Sequence, residues 1–411
     1  MLSTVGVLVT TILALSACTF GPPTDDTSTS PSASSNAPGT DAVADEIRDT
    51  ITERMDDWGL RAVIVQATRD GQPIISEAFG ESMTGVPATT DMHFRNGAVA
   101  ISYVATALLL LVEEGTVTLD DTLSEWLPDV PNADRVTLGQ LAQMTSGYAD
   151  YLWDAELIAQ LEANPFRQWT PEELAAYGTS RPLLYEPGTN WNYSHTNYVL
   201  LGLALERITG QPMEQLLEDR VLDPLGLDNT ADPGTAEIPD PALHAFTAER
   251  RAYLGVPAGT GFLEDSTFWN PSWTITRGAV QYTDIDDLIR TAQGIGTGEL
   301  LSPEMHERQL NLDTRDIATA VDGCPACFPH SEIYTYGIGV VMMGDWILQN
   351  PMFSGTAAVE AYLPEEDVAL AVVVTFDESA FDEDGVYTNR ATDLFRELAG
   401  VVSPGSAPPT R

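Results

Sequence analysis

Three side chains in the segment DGCPACFPH can ligate a metal, oxidise or exchange: Cys324, Cys327 and His330. A Cys-x-x-Cys pair can close a local disulfide, act as a redox-active dithiol or supply part of a metal site. The redox reading needs a strand-to-helix setting, and this Gly- and Pro-bounded loop offers none. Three candidate ligands are too few for a metal site, so no metal is assigned. A structural Cys324–Cys327 disulfide is the reading carried forward. Nucleophilic chemistry needs a hydroxyl beside a base. Ser146 and Ser194 are hydroxyls that a base at His195 would activate, but no spacing singles one out. The G-x-S-x-G, H-E-x-x-H and phosphate-loop patterns are absent. Lysine is absent as well: all 19 basic residues are arginine. Arginine stays protonated and is no ordinary general base, so any mechanism that depends on a lysine of this chain is excluded.

The elements that would position such groups follow from hydrophobic spacing. Residues 41–58 place apolar side chains at helical intervals, with Asp41 as the candidate cap. RAVIVQAT and QPIISEAFG alternate about the turn RDGQ, a hairpin signal. An apolar, Ala-rich stretch over residues 94–122 reads as a helix, followed by short helices and proline-rich loops to the 270s. Strands return at IYTYGIGVVMM, AAVEAYLPE and VALAVVVTF, before a last helix around NRATDLFRELAGV. Strands at both ends around a helical middle describe an α+β fold: an antiparallel sheet flanked by helices, with an inserted, mainly helical lobe.

Composition narrows the partners. The chain has 411 residues, 61 of them acidic, and a formal net charge of −42. Such a surface repels phosphate backbones and anionic headgroups, which argues against nucleic acid and against electrostatic docking on a membrane. The first eighteen residues, MLSTVGVLVTTILALSAC, carry an apolar run too short to span a bilayer but suited to a signal peptide. The run ends in L-S-A-C, which resembles the bacterial lipobox, with Cys18 as the lipidated residue. The expected layout is a lipoprotein signal peptide over residues 1–18, a Ser/Thr/Pro-rich disordered linker over 19–40, one domain over 41–402 and a disordered tail over 403–411. Export with a lipid anchor on the outer face of the bacterial cell membrane follows as the expected location.

Longer stretches carry a family resemblance. FRNGAVAI, GTVTLDDTLSEWLP, VTLGQLAQMTSGYADY, the run from TPEELAAYGTS to PLGLDNT, and GAVQYTDIDDLIRTAQ occur in one order. In that order they resemble the serine β-lactamase-like family of class C β-lactamases, DD-peptidases and related esterases. The resemblance spans about residues 45–400 and implies three motifs. A Ser-x-x-Lys at a helix start supplies nucleophile and proton acceptor on one helix face. A Tyr-x-Asn lines the cleft. A Lys/His-Thr/Ser-Gly on a strand binds the substrate carboxylate.

Each motif is altered here. In the frame F-R-x-G-S-x-x-K, the serine position is Ala98 and the lysine position is Ile101. Tyr-x-Asn reads Tyr193-Ser194-His195. The third motif falls on Gln349-Asn350-Pro351, or in another register on Ser354-Gly355-Thr356; neither carries a cation. Ser102 lies on the face of Ala98 but about 6 Å further along the axis. A misplacement of about 1 Å can already cost about a hundredfold, so Ser102 is no substitute nucleophile. The first reading is therefore a catalytically inactive member with no cofactor. Its cleft, lined by Tyr193, His195, Gln349, Asn350 and Ser354, would bind a peptidoglycan-type peptide or another small ligand. The second reading is a hydrolase with a relocated nucleophile served by Tyr193 and His195. In a third, side chains such as Ile101 close the cleft.

Overall fold

The computed structural model describes residues 39–410. The expected signal peptide, Cys18 and all but the last two linker residues lie outside the described residues. Helix α1 (Thr40–Trp58) leads into β1 (Leu60–Arg69) through Gly59 in the left-handed conformation. Asp41 is not its cap: Gly39 holds that position without a side-chain bond. Asp41 sits in the first turn, where a carboxylate complements the positive end of the helix. β1 turns back into β2 (Gln72–Met83) across Asp70 and Gly71, both with positive φ, the two-residue geometry that matches strand twist.

A short β3 (Val86–Pro87) edges that hairpin. The remaining strands come from the other end of the chain: β4 (Thr335–Tyr336), β5 (Val341–Met343), β6 (Trp346–Gln349), β7 (Met352–Phe353), β8 (Thr356–Leu363) and β9 (Val368–Phe376). They form one nine-stranded sheet in the order β3-β2-β1-β9-β8-β6-β5-β4, with β7 paired to β8. Every pairing is antiparallel, and β1 and β9 zip from Leu60↔Phe376 to Arg69↔Val368. The two chain ends thus share the middle of the sheet. All nine residues of β9, VALAVVVTF, are buried, because helices cover both of its faces.

Helix α2 (Val99–Glu113) is buried except at Leu110, Val112 and Glu113, which makes it a core helix apolar on every side. Helix α3 (Pro171–Thr179) opens with a reciprocal capping box between Thr170 and Glu173. Helix α4 (His195–Thr209) belongs to the inserted lobe. Helix α5 (Ile285–Thr297) buries Ile285, Leu288, Ile289, Ala292 and Ile295, a stripe at helical spacing laid on the sheet. Helix α6 (Arg390–Val402), capped by Asn389, packs with α1 on the opposite face. The α+β architecture with an inserted helical lobe is as the sequence implies.

Residues 403–410 differ from the expected disordered tail. Ser403 and Ser406 both donate hydroxyls to Glu366 at 3.1 Å, and the Ser406 carbonyl accepts the Trp346 indole N–H at 2.8 Å. Specific partners hold a segment whose composition alone reads as a solvated tail.

Candidate functional site

The site is built where two loops meet the first turns of α2 and α4. Before α2 the chain passes through Gly97 with φ of +53°. A Cβ added there would lie 2.7 Å from Pro351 Cβ and 2.9 Å from Phe353 Cε1. Glycine is required twice over, for its backbone angle and for this close approach. The N–H groups of Val99, Ala100 and Ile101 turn tightly onto the carbonyls of Asn96, Gly97 and Ala98. Among the described residues the Ala98 N–H donates to nothing. Ala98 is partly exposed at the helix start, while Ile101 is fully buried in the core. Neither side chain can attack a carbonyl or carry a proton.

The TSGYADY loop is stitched onto the start of α4. Thr196 donates its hydroxyl to the Ala149 carbonyl at 2.7 Å, and Asn192 donates its amide to the Tyr148 carbonyl at 3.3 Å. Ser146 donates to the Asn197 side chain and accepts from the Tyr148 N–H. Gly147, at φ +85°, lets the loop pass the Tyr185 carbonyl, which a Cβ would meet at 2.5 Å. This stitching delivers a group that no sequence pattern announced. Asp150, 1% exposed, accepts the Leu152 N–H at 3.0 Å with Oδ1 and pairs through Oδ2 with His195 Nδ1 at 2.8 Å. Forty-five positions separate the partners, so no local spacing rule joins them.

Aromatic rings surround His195. Tyr193 stands edge-on with centroids 5.2 Å apart, Tyr151 at 5.7 Å and Trp273 at 6.2 Å. Trp273 meets Phe353 edge-on at 6.5 Å, so rings run from His195 to the residue that packs on Gly97. Tyr151 donates its hydroxyl to the carbonyls of Trp273 and Thr274, fixing that wall. Burial first, and the Asp150 charge second, push the Tyr193 phenol above its ordinary value, so it stays a neutral donor. Neither the Tyr193 hydroxyl nor His195 Nε2 has a hydrogen-bond partner among the described residues, and neither atom is buried away from solvent.

The other expected site residues divide. Tyr193 and His195 lie side by side at the start of α4. Ser102 back-bonds to the Val99 carbonyl at 2.7 Å and is fully buried. Ser146 is committed to Asn197, and Ser194 Oγ is buried without a partner, so neither serves His195. Gln349, 3% exposed, donates to the Gly339 carbonyl at 2.7 Å. Asn350 turns to α6, donating to Thr392 Oγ1 at 3.2 Å while its carbonyl accepts from Asn389. Both were expected to bind ligand; here the Gly339 carbonyl takes the Gln349 amide and Thr392 takes that of Asn350. Of that tripeptide, only Pro351 is shown against the helix start. Ser354, at φ +47°, forms a turn whose carbonyl accepts the Ser266 hydroxyl.

Cys324 and Cys327 are disulfide-bonded. His330 does not join them: its Nδ1 faces Thr314 Oγ1 at 2.9 Å, and burial, with Arg315 nearby, lowers its pKa to about 3. Among the described residues, no group of three or more His, Cys, Asp or Glu side chains could hold a metal ion. A cavity of about 20 Å³ is lined in part by Trp273, Phe353 and Ser354 and so adjoins the ring wall beside His195, whereas one of about 540 Å³ lies apart, at Gly298, Leu301 and His306.

Comparison with known proteins bears on this geometry. A family model described as Beta-lactamase matches residues 47–394. Esterase EstB of Burkholderia gladioli is 28% identical over 302 residues, 68% of this chain and 75% of the esterase. Penicillin-binding protein 4 of Amycolatopsis lactamdurans is 35% identical over 154 residues, but this match spans only 37% of that protein and 35% of the chain. Among solved structures, D-amino acid amidase from Ochrobactrum anthropi SV3 superposes with a TM-score of 0.69 at 23% identity, covering 87% of this chain and 99% of the amidase. The octameric penicillin-binding protein homologue from Pyrococcus abyssi gives 0.69 at 20% identity, covering 89% and 79%. Likeness at these identities establishes the shared fold.

Proposed function

The chain belongs to the beta-lactamase family, and from that membership we propose an exported, lipid-anchored member that no longer forms the family's acyl-enzyme. Its remaining cleft surface holds a small ligand. The observation that carries this reading is the pair Ala98 and Ile101 on an otherwise well-built helix start. The N–H of Ala98 is still free, yet the helix offers no nucleophile and no proton acceptor. No lysine exists elsewhere in the chain to reach in. Gln349, where the resemblance implies a cation, is uncharged and turned inward. Sites stripped of their catalytic set retain at most about 10³–10⁴-fold over water, from oxyanion donors and binding.

Relatives named as esterase, penicillin-binding protein and amidase motivate a ligand with an ester, amide or peptide carbonyl. Export and anchoring rest on the apolar leader ending in L-S-A-C. Purified protein incubated with a fluorescent penicillin and with a fluorophosphonate should acquire no covalent label. A label that disappears when a cleft residue is changed would overturn the reading. Metabolic labelling with palmitate should mark the full chain and be lost in Cys18→Ala; labelling that survives this change would sink the anchor.

A further inference from the structure

We infer that Asp150 and His195 form a general-base pair that directs a water molecule onto the carbonyl carbon of a small aryl ester held beside Tyr193. The inference rests on the reading that no acyl-enzyme forms, since water here takes the place of a protein nucleophile.

The geometry supplies each part. A carboxylate can only accept, so the 2.8 Å contact from Asp150 Oδ2 makes His195 Nδ1 the donor and leaves the Nε2 lone pair outward. Asp150 is fixed on its other oxygen by the Leu152 N–H, so the imidazole is held by a group that cannot swing away. Nε2 makes no bond to the protein, which is what a base awaiting a water requires. The Tyr193 hydroxyl is equally unengaged, and its ring stands 5.2 Å from the imidazole at 86°. A phenol kept neutral by burial is a donor suited to a developing oxyanion. The half-buried Trp273, its backbone fixed from beneath by Tyr151, offers an apolar face to a flat aryl group. The bulk of Phe353 and Pro351 over Gly97 favours a short acyl group. The other His–Asp pair, His244 with Asp265, lacks this setting, because its aspartate is 41% exposed.

In the step, the water oxygen bonds to the carbonyl carbon while His195 Nε2 takes one water proton. The carbonyl π pair moves onto oxygen, where the Tyr193 hydroxyl donates to it. Collapse breaks the acyl–oxygen bond and expels an aryloxide. The proton on Nε2 passes to solvent or to the leaving group, giving a carboxylic acid and a phenol with no change of oxidation state.

The test uses the purified full chain with 4-nitrophenyl acetate, reading release of nitrophenolate together with intact-protein mass. Saturable turnover above buffer is expected, without a burst and without a +acetyl species. His195→Gln should lower kcat/KM by about a hundredfold or more. Asp150→Asn keeps an oxygen for the Leu152 cap but offers His195 an amide. Removing the orienting carboxylate costs about 10⁴-fold in a serine hydrolase; here the loss should fall on kcat while KM stays unchanged, the signature of a positioning residue. Thermal melts of both variants keep misfolding separate from lost chemistry, and one folded variant is enough to decide. No saturable turnover, or equal rates in the wild type and a folded variant, overturns the inference and leaves the proposed function standing. An acetylated protein that forms and decays at the turnover rate overturns both.

Discussion

At the scale of single residues, the chemistry is decided by what two positions lack and what one buried carboxylate adds. Ile101 occupies the proton-acceptor position of the helix start and is fully buried, so it now acts as core. Ile101→Ala should cost about 2–5 kcal/mol of stability, measured by urea unfolding. A cost under about 0.5 kcal/mol would mean that the position is not packed as described. Glu249 behaves in the opposite sense. Burial raises its pKa from 4.5 to about 7, against weaker lowering by Thr247 and the Ser354 N–H. Its folded form holds a proton that the unfolded form releases near 4.5. Stability from this group is therefore full below about 4.5 and lost as pH rises through about 7. Fully buried Glu360 shifts in the same direction. Glu249→Gln should raise stability by on the order of 2–3 kcal/mol at pH 8 and leave it unchanged at pH 4. Parallel unfolding curves at the two pH values check it.

At the scale of elements, the site depends on two loops being held to two helix starts. The segment carrying the disulfide docks on the chain just before Tyr193. Asn190 and Thr319 exchange bonds of 3.1 and 2.9 Å, and Trp191 packs against His330 at 4.4 Å and Phe328 at 5.2 Å. The disulfide closes a loop of sequence separation 3, so its chain-entropy contribution is at the small end, about 2 kcal/mol. Replacing both Cys324 and Cys327 by serine should lower stability by no more than about that amount. The near-ultraviolet circular dichroism of the Trp191 cluster should persist. Collapse of that signal at low denaturant would show that the disulfide, not the ring packing, holds the loop.

At the scale of the whole molecule, charge acts against a large core. With 61 acidic and 19 basic residues, self-repulsion opposes the compact state and is screened by salt. Raising sodium chloride from about 0.05 to about 0.5 M should raise Tm. Each 1 kcal/mol of relieved repulsion is worth about 1–2 °C for a domain of this size. A flat or falling Tm would mean that the arginine–carboxylate pairs seen among the described residues, rather than net repulsion, dominate.

The sequence by itself determined the order of elements, the register of the helix start and the presence of Ala98 and Ile101 on it. Periodicity and turn residues are local properties, and an i, i+3 pair on one helix needs no partner elsewhere to be placed. The hairpin at Asp70–Gly71, the core helix and the Ala98/Ile101 substitution were all legible for that reason. The third motif was less so. Whether Gln349 and Asn350 face a ligand depends on which neighbour takes each side chain. Only the tertiary structure decided that Gly339 takes one and Thr392 the other. It also decided that the serines near His195 are already engaged or buried, and that Ser403 and Ser406 are bonded to Glu366. Above all it brought Asp150 to His195 across 45 positions, because a hydrogen bond between distant side chains exists only where folded loops cross.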